Sequence, residues 1–247
     1  MTLDLSGKAI VITGAARGIG AAIARHAADA GATDLLLTDR DEAEGADIFR
    51  ADLMDADAPD RIIAETIANF GRIDALVNAA GLTTRASFLD ATLDIWDSLT
   101  AVNQRAPFFL MSHAIRAFLA QGTPGTIVNI QSMNAHCGGP DLAIYAATKG
   151  ALQTMTKNAA NAHLSDGIRV NGINLGWVAT ESEDHMQSQV LGHGPDWQAK
   201  AAADLPLGRL VTEDEAARLV VYLLSDASVP MTGTSIDLEQ QITGAPR

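Results

Sequence analysis

Short apolar runs, of which Ala9-Ile10-Val11-Ile12 is typical, alternate almost to the end of the chain with longer segments patterned for helices. That alternation is the sequence sign of a parallel sheet covered on both faces. Strands are expected near 8–13, 34–38, 47–51, 73–78, 125–131, 168–174 and 234–238, and helices near 18–30, 58–70, 92–120, 143–165, 195–203 and 213–225. Right-handed crossovers then give an α/β fold, a doubly wound parallel sheet of about seven strands with helices on both faces, whose ligands lie beyond the carboxyl ends of its strands. Between Asp39 and Ala51 stand only the 11 residues Arg40 to Arg50, so that crossover has room for at most a turn of helix.

Composition narrows the class. The 247 residues contain no Pro/Gly/Ser-rich linker, repeat or low-complexity tract, which predicts one domain over 1–247. A hydrophobic fraction of 47% with only 4% aromatics implies a core of Ala, Val, Ile and Leu, suited to helices packed closely on a sheet. The net charge of −13 argues against nucleic acid and anionic membranes as partners. Cys137 is the single cysteine, the first residues lack an apolar signal core, and no run reaches membrane-spanning length, so a cytoplasmic protein is expected.

Two patterns carry chemistry. The loop Thr13-Gly14-Ala15-Ala16-Arg17-Gly18-Ile19-Gly20 follows the first strand and runs into an alanine-rich helix. In that context missing side chains let the backbone approach a pyrophosphate, which the helix N-terminus favours. The second pattern is Tyr145-Ala-Ala-Thr-Lys149, beginning 13 residues after Ser132. Alone, each has a bland alternative: a turn closed by glycines, or a tyrosine and a lysine on a helix surface. Together they pair a dinucleotide site with a proton donor, and so point to hydride transfer. Asp39, Asp52, Asn78-Ala79-Ala80-Gly81, Ser132 and the loop after 168–174 are all expected at the same sheet edge.

In this order and spacing the residues resemble the short-chain dehydrogenase/reductase family, the branch of about 250 residues with Thr-Gly-x-x-x-Gly-x-Gly, over nearly the whole chain. The resemblance implies a Rossmann fold and a catalytic set of Asn103, Ser132, Tyr145 and Lys149. Tyr145 is the general acid/base, and Lys149, one helical turn away, lowers its pKa and holds the nicotinamide ribose. Ser132 bonds the substrate oxygen, and Asn103 anchors a water in a proton relay. The cofactor contacts implied are Gly14, Arg17, Gly18, Ile19, Gly20, Asp39, Asp52, Leu53, Asn78, Ala79, Ala80, Gly81, Gly176, Val178 and Thr180, together with Tyr145 and Lys149. A carboxylate at Asp39 accepts from the adenosine ribose diol and favours NAD, while Arg17 and Arg40 leave NADP open. The sequence departs from the family at Leu175, where a proline usually stands, and at Leu238-Glu239, where a Gly-Gly pair usually follows the aspartate.

Segment 177–210 matches the family's substrate lid. Asn134, His136, Glu181, His185 and Trp197 are candidate substrate contacts, with Thr83, Arg85, Met133 and Cys137 nearby. Many hydrogen-bonding groups and few aromatics suggest a sugar, sugar acid or polyol as the small-molecule substrate. His185 and His193 lack zinc-ligand spacing, and no metal is expected. Helices 92–120 and 143–165 imply a homotetramer by resemblance. Three other readings stay open: a noncatalytic dinucleotide-binding sensor or scaffold, a carbonyl reductase for apolar ketones, and an epimerase on the related extended scaffold. Substrate identity, stereochemistry and physiological direction are not specified by these residues.

Overall fold

The structure is a computed structural model that describes residues 3–243. Its first half alternates β1 (Ala9–Thr13), α1 (Gly18–Asp29), β2 (Asp34–Asp39), β3 (Ile48–Arg50), α2 (Ala58–Phe70) and β4 (Ala75–Asn78). Next come α3 (Leu93–Thr100), α4 (Ala106–Gln121), β5 (Thr126–Ser132), α5 (Ala143–Ala162) and β6 (Arg169–Leu175). Segment 177–210, the expected lid, follows, with β7 (Val178–Ala179), α6 (Glu181–His185) and α7 (Trp197–Ala203). The chain ends on β8 (Val211–Thr212), α8 (Glu213–Leu224) and β9 (Ser235–Leu238).

Seven strands form one parallel sheet in the order β3-β2-β1-β4-β5-β6-β9. All five residues of β1 are buried because both faces are covered. Ile10 and Ile12 pack with α1 and α8 on one side, while Val11 packs with α2, α4 and α5 on the other. The two-sided winding expected from the alternating pattern is therefore present. The order reverses direction beside β1, where β2 pairs with one edge and β4 with the other. Ligands of such sheets bind in the crevice opened by that reversal.

Three features differ from or sharpen the expectations. Segment 40–47 between β2 and β3 holds bends and turns with no helix, as its length requires. The predicted helix 92–120 is divided by a π turn at Ala101–Arg105, and Pro107 lies in the first turn of α4. A π turn holds one extra residue, which offsets the faces before and after it. In the lid, β7 and β8 pair in parallel and close the base of the excursion as a second, two-stranded sheet.

The sheet is tied to α8 by Arg169, which is buried at the start of β6. Its guanidinium donates to Ser228 Oγ (2.9 Å), Thr126 Oγ1 (3.1 Å) and the carbonyls of Leu223 (3.1 Å) and Ser225 (3.3 Å). Replacing it by methionine removes all of these bonds at once and leaves the carbonyls of Leu223 and Ser225 with the Ser228 hydroxyl as their side-chain donor. Arg169→Met is expected to cost about 3 kcal/mol, read as a lower midpoint in urea denaturation.

Candidate active site

The turn after β1 is built around what its glycines lack. Gly14 (φ 69°) and Gly18 (φ 60°) hold the left-handed backbone that side chains disfavour. A Cβ on Gly14 would stand 2.7 Å from Ala80 Cα, and one on Gly20 would stand 2.1 Å from the Gly14 carbonyl oxygen. The close approach is held by Thr13, whose hydroxyl accepts from the N–H groups of Ala79 and Ala80, both at 3.1 Å. At the start of α1, Arg17 makes no side-chain cap and the first turn has no acidic residue. α2, α4, α5 and α7 also lack a side-chain cap, whereas α3, α6 and α8 are capped by Thr92, Thr180 and Thr212. An uncapped N-terminus next to a turn that glycines keep open at positions 14 and 18 fits a pyrophosphate, so the donor set suits a dinucleotide.

Asp39 ends β2 at the cleft wall, with one oxygen accepting from Ala16 N–H and the other from Asp41 N–H, each at 3.1 Å. Arg17 pairs with Asp41, which Arg40 also approaches at 3.6 Å. The two arginines thus answer to Asp41 and not to Asp39. Asp52 and Leu53 line the same end of the cleft, as do Ala79, Ala80 and Gly81. Asn78 does not: it is buried beneath the edge and donates to Asn129 Oδ1 at 2.8 Å. Of the four-residue loop motif, only the last three residues face the cofactor side.

Ser132, Tyr145 and Lys149 meet in one cleft of about 950 Å³ with Gly176, Val178 and Thr180. Ser132 Oγ accepts from the backbone N–H and the side-chain amide of Asn134, at 3.1 and 3.2 Å. With its lone pairs used, the hydroxyl has its proton left to give. Asn134, expected as a substrate contact, therefore also orients Ser132. Asn103 is turned inward by the π turn and clamps Leu82 from both sides, accepting from its N–H (2.8 Å) and donating to its carbonyl (2.9 Å). It also donates to Thr148 Oγ1 (3.2 Å), which in turn donates to the Tyr145 carbonyl (2.7 Å). The side chain expected to anchor a water joins the β4 loop to α5, with one lone pair of Oδ1 left.

The titration of the pair differs from the sequence expectation. Desolvation pushes the Tyr145 phenol above its ordinary value; Ser132 and the Arg85 charge pull it down, and the Glu183 charge pushes it up. Lys149 stands close to the phenol. Its buried ammonium donates to the Ile130 carbonyl at 2.8 Å and lies 5.7 Å from the centre of the Tyr145 ring, and burial alone pulls its own pKa down to about 8. One hydrogen bond leaves two of its three donors for other acceptors, such as ribose hydroxyls.

The lid interior is a polar lattice. Glu183 Oε1 accepts from Trp177 Nε1 (2.8 Å) and Gln187 Nε2 (2.7 Å), and Gln187 Oε1 meets His193 Nδ1 (2.8 Å). Trp197 is buried, lies 5.6 Å from the Trp177 ring and donates to Asp184, so it supports the lid from behind. Glu181 and His185 are exposed, and His136 faces Asp237 at 3.4 Å. These four proposed substrate contacts lie outside the cleft wall; Asn134 lies in it. Residues missed as contacts include Gln187 and Glu239. Glu239 belongs to a noted departure from the family pattern, and its carboxylate rests on Gly176, where a Cβ would come within 2.1 Å of Oε2. Among the described residues, no group of three His, Cys, Asp or Glu is arranged to hold a metal, and no helix is long and apolar enough to cross a membrane.

A parallel sheet with this glycine turn and a Ser-Tyr-Lys set at its edge defines a Rossmann-type oxidoreductase. A family profile described as enoyl-(acyl carrier protein) reductase matches residues 14–240. The chain is 33% identical to L-xylulose reductase of Bos taurus, with 97% of this chain and 98% of that one covered. It is also 33% identical to gluconate 5-dehydrogenase of Gluconobacter oxydans, over 97% and 96%. A crystal structure from Beutenbergia cavernae, provisionally assigned as an NAD(P)-dependent gluconate 5-dehydrogenase and holding NADP at low occupancy, superposes with a TM-score of 0.85. That protein is 31% identical, with 97% of this chain and 98% of the other covered. The chain belongs to the short-chain dehydrogenase/reductase family and is an oxidoreductase of that family.

The Lys149 environment makes a prediction about stability. The unfolded lysine titrates near 10.5 and the folded one at about 8, so the unfolded chain binds the extra proton between these values. Folding is penalised by about 3 kcal/mol below that window, and the penalty fades as pH rises through it. Relative to Lys149→Met, the wild-type protein should gain stability between pH 8 and 10.5 in thermal unfolding. A constant difference across that range would contradict the assignment.

Proposed function

We propose that the protein interconverts a secondary alcohol and a ketone on a small polyhydroxylated compound, with NAD as the hydride carrier. The observation that carries this reading is the meeting of Ser132, Tyr145 and Lys149 in the cleft that begins at the uncapped end of α1. The nicotinamide, when bound, supplies or takes the hydride. Ser132 donates a hydrogen bond to the substrate oxygen, the Tyr145 phenol delivers the proton to that oxygen in reduction, and its phenolate takes the proton in oxidation. Lys149 holds the ribose hydroxyls with its two remaining donors. Val178 and Thr180, which line the cleft, would hold the carboxamide.

Asp39 supports NAD, because its carboxylate stands at the end of β2 while both nearby arginines are directed to Asp41. The NADP held by the Beutenbergia cavernae relative makes the comparison of cofactors part of the test. The polar lid lattice supports a hydroxyl-rich substrate over an apolar ketone. Segment 177–210 acts as the lid of this single-domain enzyme, and a cytoplasmic homotetramer completes the reading. Exposed Trp96, Phe108 and Phe109 on α3 and α4 support the assembly.

Reduced-nicotinamide absorbance, followed with NAD and NADP separately over polyols, sugars and sugar acids, tests the reaction. Tyr145→Phe is expected to lower turnover by about 100-fold or more; unchanged turnover would remove Tyr145 from the chemistry. The raised phenol also has a pH consequence. Tyr145 stays protonated through neutrality, so ketone reduction should run at neutral pH and alcohol oxidation should climb into the alkaline range. Oxidation rates that are flat with pH would count against Tyr145 as the base. Sedimentation showing only monomer would reject the tetramer.

A further inference from the structure

Arg85 stands in the cleft with its charge answered and its hydrogen bonds unmade. The bridge between Ala86 and Leu142, with Ala86 N–H donating to the Asp141 carbonyl at 2.7 Å, pins its segment to the start of α5. Tyr145 lies one turn further along that helix. Two carboxylates flank the guanidinium, Asp141 from NH1 and Glu183 from NH2, each at 3.7 Å. Both distances are too long for hydrogen bonds. Nε is buried without a partner among the described residues, and NH1 and NH2 reach their carboxylates only at 3.7 Å. The side chain is only 22% exposed, so water does not fully replace what is missing.

Glu183 shows the complementary lack. Its Oε1 takes the bonds from Trp177 and Gln187, whereas Oε2 accepts none among the described residues. Arg85 NH2 stands nearest the engaged Oε1, so the guanidinium and the unengaged Oε2 sit side by side, each with hydrogen-bonding capacity left for a third group. The local charge excludes one obvious filler: Asp141, Glu183 and Glu239 in this end of the cleft outnumber Arg85 and Lys149. An added carboxylate would face Glu183 and Asp141 across a guanidinium they already neutralise. An uncharged hydroxyl brings both an oxygen to accept and a proton to give.

We propose that Arg85 and Glu183 form a clamp for the hydroxyl groups next to the reacting carbon, selecting uncharged polyols and ketoses over sugar acids. Arg85 donates to the hydroxyl oxygens, and Glu183 Oε2 accepts a hydroxyl proton. The proposal rests on the alcohol–ketone reading above and names its substrate class within it.

The test compares kcat/KM of the full-length protein on four- to six-carbon polyols, aldonates of equal length and a secondary alcohol without neighbouring hydroxyls. Wild-type protein should prefer the polyols over the aldonates by about 10-fold or more. Arg85→Met should cut the preference for polyol over plain alcohol by about 10- to 100-fold. Glu183→Gln, which keeps the shape and removes the charge, should narrow the gap between polyol and aldonate; thermal melts confirm that both variants fold. Preference for aldonates, lost in Arg85→Met, would make Arg85 a carboxylate anchor and overturn the clamp while leaving the alcohol–ketone reading intact. Equal losses on polyol and plain alcohol would also overturn it. Absence of turnover on every hydroxyl compound would sink both readings.

Discussion

The Thr13 hydroxyl is the interaction on which the site depends. By accepting from Ala79 and Ala80, it draws the loop after β4 across the turn after β1 until only glycine fits at position 14. The effect continues along the chain. Leu82, just past that loop, is gripped by Asn103; Asn103 reaches Thr148; and Thr148 holds the backbone of Tyr145. An unbroken run of bonds therefore connects the glycine turn after β1 with the helix that bears Tyr145. Hydride and proton transfer need their groups within tenths of an ångström. Here both are referred to one threonine, so small movements of the sheet carry the two together.

Burial does more to the reactive pair than proximity does. Lys149 and Tyr145 are both desolvated, and desolvation disfavours each group's charged form. The neutral phenol is consequently stable in the folded protein, and the ammonium is held at a cost. Arg85 and Glu183 act on the phenol with opposite sign, so residues facing the substrate also balance the acidity of the group that serves it.

Much of this was legible from the chain. Each of the seven main strands appears within a residue or two of its expected range, because runs such as Ala9 to Ile12 have to be apolar on both faces in a two-sided sheet. The Ser132-Tyr145-Lys149 spacing pointed to a shared site because β5 and α5 bring those positions to one edge. The π turn was not read, since one inserted residue leaves the apolar pattern of 92–120 intact; Pro107 was its one visible sign. Lid contacts were the poorest. His136, His185 and Trp197 attract attention by residue type, yet which side chain turns inward in a segment of short helices depends on packing between Trp177, Trp197 and Gln187. Asn78 was grouped with its motif, whereas alternation along β4 sends it beneath the edge to Asn129.

Glu239 rests where Gly176 has no side chain, and the two departures from the family pattern at this end of the sheet, Leu175 and Leu238-Glu239, lie in register on β6 and β9. A single methyl at position 176 would force the carboxylate to move from its present seat. The electrostatic character of the pocket is thereby controlled by an uncharged position. A lineage carrying alanine there would work with one negative charge of its pocket displaced, although every acidic residue in its sequence had been retained.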